Sequence, residues 1–343
     1  MQRMPSPLVS VVMPVYNTSD YVEEAILSIL NQSFTDFEFL IFNDGSTDNS
    51  AEIIRSFKDR RIRFYDHPLN TGYVVHLNKG IELSRGCFIA RMDADDIAHP
   101  DRLKIQVEYL LAHPCVGVCG SQVRYIGRHN GESAFPTDND GIRIALMAYC
   151  SLWHPSVMIR KEVLTAHKLT YDPDFLYTED YDLWCKLTKV TQLVNLPDYL
   201  LSYRKHDNQV SIVKEQLQTE AIQIIGQEYL KSLGFDLSQN QSESLKYLSE
   251  YPITINDPTE LKHLLEAMNK IRTQNFTLKI FNPEKLDAFL QRHWIKIVDS
   301  IKYFNPKFII PLVNTEKTFI KNLNIFETIK YIIKSLLYWN TRI

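Results

Sequence analysis

With 343 residues, 45% of them hydrophobic and 23% charged, the chain has room for roughly two domains and an ordinary globular composition, which excludes a disordered tail or a collagen-like polymer. The 38 basic and 41 acidic side chains leave a net charge of −3, so the cationic excess that nucleic-acid binding requires is missing and nucleic acid is not expected as a partner. No apolar run reaches the roughly 20 residues of a spanning helix, and Met1 to Val12 lacks the charged-then-apolar order of a secretory leader. A cytoplasmic protein, at most peripheral at a membrane, is expected. The five cysteines, Cys87, Cys115, Cys119, Cys150 and Cys185, form no C-x-x-C pair. They are expected to be buried small hydrophobes rather than a disulfide framework or a zinc site.

The first expected strand is Val9 to Val15. A helix follows in which Val22, Ala25, Ile26, Ile29 and Leu30 recur on one face, with Asp20 and Glu23 as its start signal. Further strands are expected at Phe37 to Asn43, Arg61 to Asp66, Phe88 to Met92 and Val116 to Tyr125. Pro100 suits the first position of a helix carrying Leu103, Val107, Leu110 and Leu111 and ending near Pro114. Such alternation predicts βαβ units: a Rossmann-like α/β domain with a mostly parallel central sheet and helices on both faces. Gly127 to Gly141 reads as a loop, followed by a helix and a strand around Ser156 to Arg160. Glu215 to Leu233 and Lys279 to Val298 read as helical, so a boundary falls near residue 225, with an α/β domain over 1–225 and a helical C-terminal region over 226–343. Lys317 to Ile343 places Phe326, Ile329, Ile333, Leu336 and Leu337 on one face beside Lys330 and Lys334. That pattern fits a docked terminal helix or a peripheral contact with an anionic membrane.

In open α/β sheets the ligand sits outside the carboxyl ends of the strands. Three of these ends are polar: Pro14-Val15-Tyr16-Asn17, Asn43-Asp44-Gly45-Ser46-Thr47-Asp48 and Asp93-Ala94-Asp95-Asp96. Each alone reads equally well as a turn or helix cap. Together they aim polar groups at one crevice. Asp93, Asp95 and Asp96 repel one another unless a cation or hydrogen-bond donors neutralise them. Mg²⁺ or Mn²⁺ typically takes one or two carboxylates and keeps positions for phosphate oxygens, so a diphosphate ligand is expected. Neither G-x-x-x-x-G-K-[ST] nor G-x-G-x-x-G occurs, which leaves the metal to hold the diphosphate.

Val11-Val12-Met13-Pro14-Val15-Tyr16-Asn17, Asn43 to Asp48, Leu77-Asn78-Lys79-Gly80 and Asp93 to Asp96 follow one another in chain order. They continue through Trp153-His154-Pro155-Ser156-Val157-Met158, Thr178-Glu179-Asp180-Tyr181-Asp182-Leu183-Trp184 and Tyr203-Arg204-Lys205-His206-Asp207-Asn208-Gln209. In this series the chain resembles family 2 glycosyltransferases of the GT-A fold, over roughly residues 8 to 212. The resemblance implies a nucleotide-sugar half at about 8–125 and an acceptor half at about 126–225. It further implies that Pro14, Val15, Tyr16, Asn17, Asp44, Asn78, Asp93, Ala94 and Asp95 line the nucleotide-sugar site. Asp95 and His206 would reach the metal, Mn²⁺ or Mg²⁺, Asp180 would be the catalytic base, and Trp153, His154 and Glu179 would lie toward the acceptor. The implied reaction is inverting transfer from a nucleoside-diphosphate sugar, usually a UDP-sugar, to a hydroxyl of a glycan or lipid-linked acceptor in bacterial surface-polysaccharide synthesis.

The residue types suit that chemistry, since one base and a metal-stabilised leaving group suffice for a single displacement. As plain structure, Glu179 and Asp182 read as acids at a helix N-terminus, and His154 and His206 as packed rings. A sugar nucleotidyltransferase would want a Gly-rich basic loop, yet Val15 to Asp20 holds no Gly, Lys or Arg. A processive synthase would want Q-x-x-R-W, which Gln291-Arg292-His293-Trp294 does not match. A non-catalytic carbohydrate-binding module would not need every acidic position filled.

Overall fold

The computed structural model describes residues 6–206, 215–249, 255 and 257–300. The expected terminal helix from Lys317 to Ile343 lies outside the described residues, as do Asp207, Asn208 and Gln209. The chain divides into two compact units, one of residues up to Ile142 with Cys150–Ala221, the other of Arg143–Tyr149 with residues from Ile222 onward.

In the first unit β1 (Val9–Val15) is buried along its whole length, which is why its sequence is a nearly unbroken apolar run. It lies between β2 (Phe37–Asp44) and β4 (Phe88–Arg91), both parallel to it, and β3 (Ile62–His67) extends the parallel set beyond β2. Beyond β4 the direction reverses. β8 (Met158–Arg160) runs antiparallel between β4 and β6 (Val116–Gly127). The long β9 (Gln192–Lys205) pairs in parallel with β6, and the two-residue β5 (Ile97–Ala98) closes the order β3-β2-β1-β4-β8-β6-β9-β5. The expected strands are all present, within a residue or two at their ends.

Helices α1 (Val22–Leu30), α2 (Ser50–Ser56), α3 (Tyr73–Leu83) and α4 (Arg102–Ala112) flank this sheet. The apolar stripe expected on α1 is buried at Val22, Ala25, Ile26 and Ile29. Its expected start signal is not used: Tyr21 is the N-cap, without a side-chain cap, and both Tyr21 N and Val22 N donate to Thr18 O at 2.9 Å. A turn closed by backbone carbonyl does the work that Asp20 was expected to do. Pro100 likewise stands two residues before α4, whose N-cap is Asp101. The stretch read as a loop between Gly127 and Gly141 contains β7 (Gly131–Glu132), paired with β6, and the start of α5 (Asn139–Ala145). Only Met158–Arg160 of the expected 156–160 strand is extended, because His154–Ser156 forms a 3₁₀ turn. The cysteine expectation holds for Cys119 and Cys185, which are buried, and fails for Cys87 and Cys115, which are exposed.

Gly86 shows how tightly the sheet is clasped at the amino ends of its strands. A methyl group there would stand 2.6 Å from Ser10 N and 2.7 Å from Val9 C, backbone atoms at the start of the central β1 that cannot yield. Gly86→Ala is therefore expected to cost about 1–3 kcal/mol in urea unfolding. An unchanged midpoint would remove this account of the clasp.

In the second unit, α10 (Pro258–Leu278) buries Leu261, Leu264, Leu265, Met268 and Ile271, and α11 (Pro283–Ser300) follows it. The helical run expected from Lys279 begins only at Pro283, because Lys279 itself adopts a left-handed conformation (φ 52°) that ends α10. Helix α8 (Glu215–Ser232) agrees with the expected run from Glu215, and α9 (Gln239–Ser244) opens with a capping box of Ser238 and Gln241.

Candidate active site

β1, β2 and β4 are neighbouring parallel strands, so their carboxyl ends lie along one edge of the sheet, and the first two ends spend much of their polarity on each other. After β1, Asn17 takes a left-handed turn (φ 50°), donates its N–H to Ser46 Oγ at 3.0 Å and accepts from Thr47 N at 2.8 Å. Ser19 N donates to Asp48 Oδ2 at 2.9 Å. The first two strand ends are thus zipped together, with Pro14 and Val15 in register with Phe42 and Asn43. Tyr16 is left 47% exposed at the mouth. Asp44 is 2% exposed and accepts from Thr71 N at 2.7 Å, Gly72 N at 3.0 Å and His76 Nε2 at 2.7 Å. Burial alone would raise its pKa, but these donors hold it below the usual carboxylate value. Asn78 uses both halves of its amide on the backbone of Tyr171, donating to the carbonyl at 2.8 Å and accepting from the N–H at 2.9 Å. It ties the two halves of the domain instead of standing free.

After β4, Asp93, Ala94, Asp95 and Asp96 form the acidic corner. Asp93 is paired with Arg91. Asp95 Oδ2 stands 3.0 Å from His206 Nε2. Asp96 is fully buried; its Oδ1 accepts from Arg204 N at 2.8 Å, while its Oδ2 has no hydrogen-bond partner among the described residues. Ligand oxygens of the three carboxylates lie within 4.8 Å of one another. Burial and mutual repulsion push Asp96 well above the ordinary carboxylate value, and burial raises Asp93 against the opposing charge of Arg91. Clustered hard oxygens, a buried oxygen lacking a donor and an imidazole alongside fit a divalent cation. Arg204 braces the corner from β9, its Nε donating to Asp95 O at 2.8 Å and its Nη2 reaching Glu24 at 2.5 Å.

The second acidic group opens α7 (Glu179–Leu187), where the helix dipole favours negative charge. Glu179 is buried, accepts from Tyr73 OH at 2.6 Å and lies 3.6 Å from His154 Nδ1. Burial and the neighbouring Asp180 raise it to about 8, and burial drives His154 well below its usual value, so at neutral pH both are uncharged and their contact is no ion pair. His154 Nε2 meets Tyr171 OH at 2.9 Å. Asp180 receives Tyr181 N at 2.8 Å on Oδ1 and the Cys150 thiol at 3.6 Å on Oδ2, and burial raises it to about 6. Trp153 packs between Phe135 and Tyr203, each with its ring centre 5.0 Å away, and its buried Nε1 has no hydrogen-bond partner among the described residues.

Arg91 was not singled out in the sequence, although a charged residue ending an apolar strand two positions before a carboxylate was a signal. Only 7% exposed, it carries the positive charge that counteracts the raised pKa values of Asp93, Asp96, Glu179 and Asp180. Its carbonyl accepts from the buried Arg102 at 2.7 Å. Tyr73, Tyr171, His76 and Cys150 were also missed, being hydrophobic or isolated in sequence and meeting their partners only through the fold.

Comparison with known proteins places the chain in a family. Residues 10–142 match the model of the family "Glycosyl transferase family 2". An uncharacterized glycosyltransferase of Haemophilus influenzae is 32% identical over 256 residues, covering 70% of this chain and 79% of its own. The chondroitin synthase of Pasteurella multocida is 24% identical over 325 residues, 91% of this chain but 32% of that longer protein. Among solved structures, S. aureus TarS 1–349 superposes with a TM-score of 0.55 at 17% identity, covering 92% of each chain. The chain belongs to glycosyltransferase family 2 and has the GT-A fold. It is a glycosyltransferase, and among the described residues no helix is long and apolar enough to cross a membrane.

Proposed function

We propose that the protein transfers a sugar, with inversion, from a UDP-sugar to a hydroxyl of a glycan or lipid-linked acceptor in surface-polysaccharide synthesis. The observation that carries this reading is the presence of two distinct acidic groups in one unit: a three-carboxylate corner suited to a cation and diphosphate, and a separate carboxylate, Asp180, raised by burial to about 6. Similarity to chondroitin and hyaluronan synthases supports the polysaccharide context.

Asp93, Asp95 and Asp96 with His206 would hold Mn²⁺ or Mg²⁺, which when bound stabilises negative charge on the departing diphosphate. Asp180 accepts the proton of the attacking hydroxyl, because Asp93 and Asp95 are committed to the cation and Glu179 retains its own proton to about 8. Trp153 and His154 belong to the acceptor side, and the strand ends at Pro14 to Asn17 and Asp44 to the nucleotide side. One base without an enzyme nucleophile implies a single displacement. Incubation with a panel of nucleotide sugars and Mn²⁺, followed by NMR of the product, is expected to give a β-linked product from an α-linked donor. Retained configuration, or no transfer from any UDP-sugar, would overturn the reading.

A further inference from the structure

We propose that His76 is the positioning residue that fixes Asp44, and that the uracil preference implied by the UDP-sugar reading depends on it. The inference rests on the proposed nucleotide-sugar reading of the crevice and deepens it.

Asp44 ends β2, and the chain turns at Gly45 with φ +68°, where a side chain would stand 2.6 Å from both Leu69 C and Asn70 N. A strap from Leu69 to Gly72 therefore lies directly on the turn. Two N–H groups of this strap donate to the carboxylate, Thr71 to Oδ1 and Gly72 to Oδ2. His76, in the first turn of α3, supplies the remaining strong contact to Oδ1 at 2.7 Å. An ionised carboxylate has no proton to offer, so Nε2 carries it and donates. The two side chains are 1% and 2% exposed, and the imidazole is packed against Phe42, 5.7 Å between ring centres, and His67, 4.6 Å.

Oδ1 is thereby filled by Thr71 N and His76, with Thr71 Oγ1 at 3.3 Å as a further neighbour, whereas among the described residues Oδ2 accepts from Gly72 alone. In the proposed reading its remaining lone pair is the one that meets the nucleobase. An acceptor there suits the N3–H of uracil and opposes the bare N3 of cytosine. The preference lasts only while Asp44 is ionised, and burial works against ionisation; the donors from Thr71, His76 and Gly72 outweigh it. Without the His76 donor, a protonated carboxyl could offer its own hydrogen to cytosine N3, and the discrimination would narrow.

Calorimetry of UDP and CDP with Mn²⁺ on the full chain tests this. The unaltered protein is expected to prefer UDP by about 10²-fold or more. His76→Leu is expected to weaken UDP about 10- to 100-fold, the usual worth of a hydrogen bond to a charged group, and to narrow the UDP-to-CDP ratio, with kcat at saturating donor little changed. His76→Gln keeps an amide N–H and is expected to restore both. Should the leucine variant not fold, His76→Asn, too short to reach Asp44, takes its place with the same expectation. Unchanged selectivity in the leucine or asparagine variant, or no restoration by glutamine, overturns the role of His76 alone. An unaltered protein that binds neither nucleotide overturns the reading of the crevice and this inference with it.

Discussion

Asp180→Asn is expected to lower kcat by about 10²- to 10⁴-fold, the usual worth of a positioned base, while donor affinity stays nearly unchanged. The amide preserves shape and loses the ability to take a proton. The pH profile gives a second signature. A base works only when ionised, and burial raises Asp180 to about 6, so kcat/KM should be level above that value and fall about tenfold per pH unit below it. Burial and the charge of Asp180 raise Glu179 as well, so the two acids titrate as a pair that shares one negative charge near neutrality. A variant with near-normal transfer, or one losing donor affinity in proportion to its rate, would move the role to Glu179 or Asp182.

Asp95→Ala is expected to lower turnover by about 10³-fold or more, since a cation contributes several kcal/mol of charge stabilisation and each 1.36 kcal/mol is about tenfold in rate. Asp95 sits at the centre of the acidic corner, within reach of both His206 and its neighbouring carboxylates. Stripping the protein with EDTA should weaken UDP binding in the unaltered chain and change little in the variant. UDP binding that is equally tight with EDTA and with Mn²⁺, together with normal turnover of Asp95→Ala, would exclude a metal role for this corner.

Legibility followed the range of the interactions. Local periodicity located β1, β2, β4, β6 and the buried stripe of α1, because pattern and environment coincide over neighbouring residues. The acidic corner was legible because it is contiguous. Contacts across the chain were not: Tyr73 meets Glu179 over a separation of 106 residues, and nothing near either one announces the other. The strand at β8 was expected, but nothing in its three residues tells which strands it separates, and that placement decides the order of the sheet. Asp44 was singled out by resemblance, but its hydrogen bonds to a strap and a buried imidazole depend on the turn at Gly45 and the placement of α3. The left-handed residue at Lys279 broke an expected helix because nothing in a lysine signals that conformation.

The placement of β8 between β4 and β6 bears on how the enzyme is made and dissected. During synthesis β6 leaves the ribosome before the strand that must separate it from β4, so the nascent chain holds an uncovered strand edge at the very strand that leads into the acidic corner. Pairing β4 with β6 directly would be a kinetic trap, one that the arrival of Met158–Arg160 must forestall or undo. Fragments that stop after β6 should accordingly associate through that edge, and a division of the gene between β6 and β8 would cut through a single continuous sheet.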